Sequence, residues 1–138
     1  VVAGGVIPHR MGLSETVLIY ETHIACMGGL EVFLERYPQQ KSHFCEKKVF
    51  VETQSAETAL RCISVGVDAI QFFQMQPDAL AKAVEQVKAA YPNCTIIAAG
   101  NLTEENVAEY AATGVDGLVS SAFYRAEPIQ MQAQFHTN

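Results

Sequence analysis

Glu52 follows the short apolar run Val49–Val51, and a carboxylate at the end of an apolar strand can balance a developing positive charge or bind a sugar hydroxyl. The plainer reading is a solvated strand end. His9 and Arg10 sit side by side in a stretch with two glycines and a proline, where the forked guanidinium could clamp a carboxylate or simply belong to a polar loop. His23 reads as a ligand, an acid/base group or a satisfied loop histidine. Gly100–Asn101 and Ser121–Ala122 each follow an apolar strand candidate. Such small residues let backbone N–H groups approach a phosphate closely, or merely let helix and strand pack. Two such turns in adjacent units favour binding. No spacing of three or four metal ligands occurs, and His43 and His136 have no partner spacing.

These residues need a frame in which strand ends meet. Val17–Tyr20, Val49–Val51, Ala69–Phe73, Thr95–Ala99 and Gly117–Ser120 read as strands. Between them, Leu30, Phe33, Leu34 and Tyr37 make a helical stripe behind Gly28–Gly29 that Pro38 should end. Residues 39–47 read as a polar connection. Ser55 is a cap for a helix carrying Ala59, Leu60 and Ile63 and stopping at Gly66, while Pro77 opens the next, which Pro92 ends. Thr103 is the expected cap of the last helix, with Glu104 and Glu105 in its first turn and Gly114 as its stop.

Ser55, Gly66, Val67, Asp68 and Ile70 match Thr103, Gly114, Val115, Asp116 and Leu118 at one constant offset, as stacked βα units would. Alternating units with short loops imply a parallel sheet, either a barrel or an open doubly wound sheet. In either, ligands meet the carboxyl ends of the strands. Five strands cannot close an eight-stranded barrel, so a barrel parent would have a part outside this chain.

The 138 residues are enough for one domain with a core. A net charge of −6 with no basic cluster argues against nucleic acid or an anionic membrane as the main partner. No eighteen-residue apolar run and no leader pattern is present, and four scattered cysteines read as reduced packing residues of a cytoplasmic protein. The start at Val1 suggests a fragment or a processed chain.

The segments GGVIPHRMGLSETVLI, KKVFVETQSAETAL, GVDAIQFF and AAGNLTEENVAEYAATGVDGLVSSA, in that order, resemble the C-terminal barrel of the quinolinate phosphoribosyltransferase (carboxylating nicotinate-nucleotide pyrophosphorylase) family. PHRMGLSET and SSAFYRAEP are most similar to its molybdenum-transport-associated subgroup. The resemblance implies an α/β fold in which parallel βα units form part of an incomplete TIM-like barrel. Residues 1–138 would be that domain, without the family's N-terminal sandwich. It implies a cytoplasmic homo-oligomer, a dimer in the family, that uses phosphoribosyl pyrophosphate with Mg²⁺ and a small acidic or heteroaromatic acceptor. It places His9, Arg10 and His23 on the acceptor, Glu52 at the ribose as the catalytic carboxylate, and Gly100, Asn101, Ser121 and Ala122 at the 5-phosphate. Tyr20 stands where the family has a lysine, and Phe73–Gln74 where it has Asp-Asn, so the acceptor need not be quinolinate. A non-catalytic phosphate-binding paralogue linked to molybdenum utilisation is the alternative.

Overall fold

Apolar runs bounded by caps, glycines and prolines become alternating strands and helices in the computed structural model, which describes residues 2–10, 12, 15–125, 127–128 and 130–135. The order is β1 (Val17–Ile19), α1 (Glu21–Cys26), α2 (Leu30–Gln40), β2 (Val49–Thr53), α3 (Ala56–Ser64), β3 (Ala69–Phe73), α4 (Pro77–Ala90), β4 (Thr95–Ala99), α5 (Val107–Ala111) and β5 (Gly117–Val119). Short 3₁₀ turns cover Val2–Gly4, Lys41–Phe44 and Ala122–Tyr124.

All strand pairs are parallel and the sheet order is β1-β2-β3-β4-β5. A doubly wound sheet reverses its strand order at a switch point; this one never does. The sheet is therefore the rolled type, part of a barrel.

Strand alternation divides the side chains between two faces. Val49, Val51, Ile70, Phe72, Ile96 and Ala98 join the helix residues Phe33, Ala59, Cys62, Leu80, Val84 and Val87 in one core. Burying each large member contributes about 1.5–3 kcal/mol. The opposite face carries Leu18, Phe50 and Ile97, which are only half-buried and stand outside that core. Glu52 and Gln71 lie on this same inner face, paired in register.

At the amino ends of the strands, the repeated aspartates clamp their neighbours. Asp68 Oδ2 accepts from Val49 N–H (2.9 Å), and Asp116 Oδ2 from Ile96 N–H (2.7 Å). Each aspartate also holds a lysine, Lys41 at 3.0 Å and Lys88 at 2.8 Å. Lys41 in turn donates to Gly66 O and Lys88 to Cys94 O. Desolvation pushes the Asp116 carboxyl up, but the Lys88 and Ile96 hydrogen bonds outweigh it and hold the group below its ordinary value.

Several sequence expectations need correction. Pro38 does not end α2, which continues to Gln40. Proline removes one donor and crowds one carbonyl, and so near the helix end, with Tyr37 anchored in the core at 3 % exposure, that is tolerated. Thr103 does not cap α5, which opens four residues later at Val107. The Thr103 hydroxyl is hydrogen-bonded with Glu105, while its N–H donates to Asn106 Oδ1 (2.9 Å). Helix α1 was not anticipated, because only Ile24 of its six residues is buried and no stripe is visible. Cys62 and Cys94 are buried packing residues, but Cys26 and Cys45 are exposed, and all four are free.

Candidate functional site

The carboxyl end of β2 holds Glu52 beside Gln71 of β3, and the Gln71 amide donates to Glu52 Oε2 at 2.7 Å. Gln71 is only 5 % exposed, so the carboxylate it holds has a defined position. Burial raises the Glu52 pKa; the Gln71 hydrogen bond lowers it, nearby Glu21 raises it and Arg10 lowers it. The net direction is upward, toward an acid easier to protonate than an ordinary glutamate.

Glu52 lines an open cleft of about 300 Å³ with Tyr20, Glu21, Thr22, Thr53, Gln54 and Phe73. Buried Thr53 organises its rim, donating to Glu21 Oε1 (3.3 Å) while accepting from Ser55 N–H (3.1 Å). Ser55 Oγ accepts from Thr58 N–H (3.2 Å), so the start of α3 is tied to the same corner as the start of α1.

Arg10 contributes charge at Glu52 from the N-terminal segment. Its φ of 30° is unusual for a side-chain-bearing residue, and its Nε is enclosed without a partner among the described residues. The adjacent His9 is pushed below its ordinary pKa by desolvation and by Arg10, with Glu15 pulling the other way. His23 sits to one side of the cleft lining. Its Nδ1 accepts from Tyr20 N–H (3.1 Å), and its ring meets the Tyr20 ring edge-on at 5.2 Å. That arrangement makes Nε2 the nitrogen left to meet a ligand.

The two small-residue turns are joined. Ser120 Oγ donates to Leu102 O (2.9 Å) and accepts from Ala122 N–H (3.1 Å), linking the end of β5 to the loop after β4. The Ala122 N–H, an expected phosphate donor, is thus already engaged. Gly100 (φ 88°) and Asn101 (φ 56°) are both left-handed, and Asn106 Nδ2 donates to Asn101 O (2.9 Å). A Cβ at Gly100 would fall 2.8 Å from both Phe73 Cε2 and Gln74 Cγ. Packing inside the chain therefore already requires this glycine.

Sequence reasoning passed over Gln71, Ser120 and Asn106, and it did not single out Glu21 for a role. Gln71 had a visible signal, a polar residue inside the apolar strand AIQFF. Among the described residues no group of three or more His, Cys, Asp or Glu could hold a metal ion. Glu21 and Glu52 are the carboxylates of the cleft, and one or two carboxylates completed by substrate phosphates is a usual magnesium arrangement.

A rolled parallel sheet with charged groups and tight turns gathered at its strand carboxyl ends belongs to the class of α/β barrels. The chain itself belongs to the quinolinate phosphoribosyl transferase family, matching its C-terminal domain over residues 1–133. It is 33 % identical over 119 residues to a probable carboxylating nicotinate-nucleotide pyrophosphorylase of Synechocystis, covering 86 % of this chain and 40 % of that protein. It is 31 % identical to the putative pyrophosphorylase ModD of Pasteurella multocida, covering 91 % and 44 %. The nicotinate-nucleotide pyrophosphorylase structure from Francisella tularensis superposes with a TM-score of 0.73 at 25 % identity, covering 91 % of this chain and 42 % of that one. The chain thus spans less than half the length of these relatives.

Proposed function

We propose that the chain is the barrel part of a phosphoribosyltransferase, in which a ring nitrogen of a small heteroaromatic or acidic acceptor attacks the anomeric carbon of phosphoribosyl pyrophosphate. The new N–C bond forms as the C–O bond to pyrophosphate breaks, and the departing pyrophosphate takes the electron pair. The observation that carries this reading is Glu52, held by buried Gln71 at a strand carboxyl end and facing an open cleft.

Glu52 balances the positive charge that develops on the ribose. A fixed carboxylate does this well because it needs no reorganisation as charge builds up. Gly100, Asn101, Ser121 and Ala122 take the 5-phosphate; with Ala122 N–H engaged by Ser120, the remaining backbone donors of these turns carry that role. His9, Arg10 and His23 orient the acceptor. Mg²⁺, held by Glu52 and Glu21 with the substrate's own phosphates, would neutralise the leaving pyrophosphate.

Half-buried Leu18, Phe50 and Ile97 support a homo-oligomeric or otherwise covered form of the whole protein. No helix among the described residues is long and apolar enough to cross a membrane, and the cytoplasm is the proposed location. A place in molybdenum utilisation rests on the resemblance of PHRMGLSET and SSAFYRAEP alone.

Phe73 at the carboxyl end of β3, where the family resemblance expects an aspartate, favours a second reading, a phosphate-binding paralogue without turnover. Pyrophosphate release from phosphoribosyl pyrophosphate, measured with a panel of nitrogen heterocycles, separates the two. Turnover that falls about 10²–10³-fold in Glu52→Gln supports the transferase. Phosphate binding without release of pyrophosphate from any acceptor supports the paralogue.

A further inference from the structure

The cleft at the ends of β1, β2 and β3 combines two aromatic rings, Tyr20 and Phe73, with two carboxylates, Glu21 and Glu52. Among the described residues that line it none is cationic, and Arg10 acts on Glu52 from beside it. Its volume of about 300 Å³ suits one flat ring system. Aromatic faces attract such a ring and attract a cationic one more strongly.

The carboxylates set the sign of what can enter. One oxygen of Glu52 is engaged by Gln71 Nε2 and one of Glu21 by the Thr53 hydroxyl, which leaves each with further accepting capacity. An ionised carboxylate can only accept, so a complementary ligand must bring N–H donors or positive charge. Arg10 offsets part of this charge at Glu52, but Glu21 adds to it, and burial together with Glu21 raises the Glu52 pKa. A ring bearing carboxylates of its own would bring like charge into the same cleft.

We infer that the cleft formed by Tyr20, Glu21, Glu52 and Phe73 takes an uncharged or cationic nitrogen heterocycle in preference to a carboxylated one. Calling the uncharged ring the acceptor rests on the transferase reading, since a cationic ring nitrogen has no electron pair for the attack and serves only as a probe of the cleft's charge; the preference itself does not.

The test is an NMR titration of this chain, isotopically labelled, with nicotinamide, the N-methylnicotinamide cation and quinolinate as probes, without phosphoribosyl pyrophosphate. The neutral and cationic rings are expected to shift the Tyr20, Glu52 and Phe73 resonances and to bind about tenfold or more tighter than quinolinate. Binding of the cation should weaken with salt, and Glu21→Gln should weaken it further while leaving nicotinamide nearly unchanged. Phe73→Leu should weaken both. Quinolinate binding as tightly as the other rings, with or without added Mg²⁺, overturns the inference. So does the absence of ring binding at these residues, or a Glu21→Gln variant that treats the cation as the parent does. A whole protein that binds rings in the expected order but never releases pyrophosphate would sink the transferase reading alone.

Discussion

The Gln71 amide holds Glu52 Oε2 at 2.7 Å across a register pair of neighbouring parallel strands, so the candidate catalytic carboxylate is positioned by the sheet itself. Loss of that donor should therefore change the acid more than the fold. In Gln71→Met the lowering contribution disappears and the Glu52 pKa should rise, as read by carboxylate NMR titration. An unchanged Glu52 titration would show that the hydrogen bond does not hold in solution.

Glu52 also bears on stability. Its folded pKa lies above its unfolded value, so the folded state binds the proton more readily than the unfolded chain. That stabilisation is complete below the unfolded pKa and is lost as pH rises through the folded one. Near neutral pH the ionised carboxylate is therefore a liability, and Glu52→Gln should raise Tm there by up to a few degrees while reducing activity. The difference should shrink at pH values below the ordinary glutamate range. A variant melting lower than the parent at pH 7 would refute this.

Legibility followed local chemistry. The five strands and the Ser55, Gly66 and Pro77 signals lie in single short segments, and each sits where the pattern put it. The choice between barrel and doubly wound sheet waited for strand order, a non-local property. Glu52 was visible as a charge ending an apolar run, but its partner Gln71 lies nineteen residues away and meets it only through register. The Thr103 cap failed because Glu105 and Asn106 compete for the same short segment, and propensity alone does not rank such local hydrogen bonds.

Gly100 offers a test that separates packing from ligand binding. Its φ of 88° strains any L residue, and a Cβ there would press on Phe73 and Gln74. Gly100→Ala should lose about 1–3 kcal/mol of stability in chemical denaturation, before any ligand is added. Pairing it with Phe73→Leu should recover the ring's share of the steric loss but leave the contact with Gln74 and the backbone strain, giving a measurable coupling. Additive losses in the double variant would mean that the ring is not the obstacle.

Tyr37 carries a fault that substitution can remove. It is 3 % exposed and its hydroxyl is enclosed without a partner among the described residues, with burial pushing its pKa up to about 12. Its ring, 5.2 Å from Phe33, supplies the packing. Tyr37→Phe keeps that packing and removes the unsatisfied group, so stability should rise by about 1 kcal/mol, given that burying an unpaired polar group costs roughly 1–3 kcal/mol. A destabilised variant would show that the hydroxyl is hydrogen-bonded after all.

The inner face of the sheet leads to the last expectation. All-parallel sheets are ordinarily covered on both faces, and here, among the described residues, helices cover the one bearing Val51, Ile70 and Ile96. Leu18, Phe50 and Ile97 remain half-buried on the other, while β1 and β5 are the sheet edges among the described residues. Open edges and half-covered apolar surface both favour association, whereas a net charge of −6 opposes it. This chain alone should therefore self-associate, and more strongly as salt screens the repulsion. Light scattering across a concentration series should show mass rising above that of one chain, and Leu18→Lys together with Ile97→Lys should return it toward monomer without abolishing the helical circular dichroism signal. A parent chain that scatters as a monomer at high concentration and high salt would mean that the inner face is already covered from within.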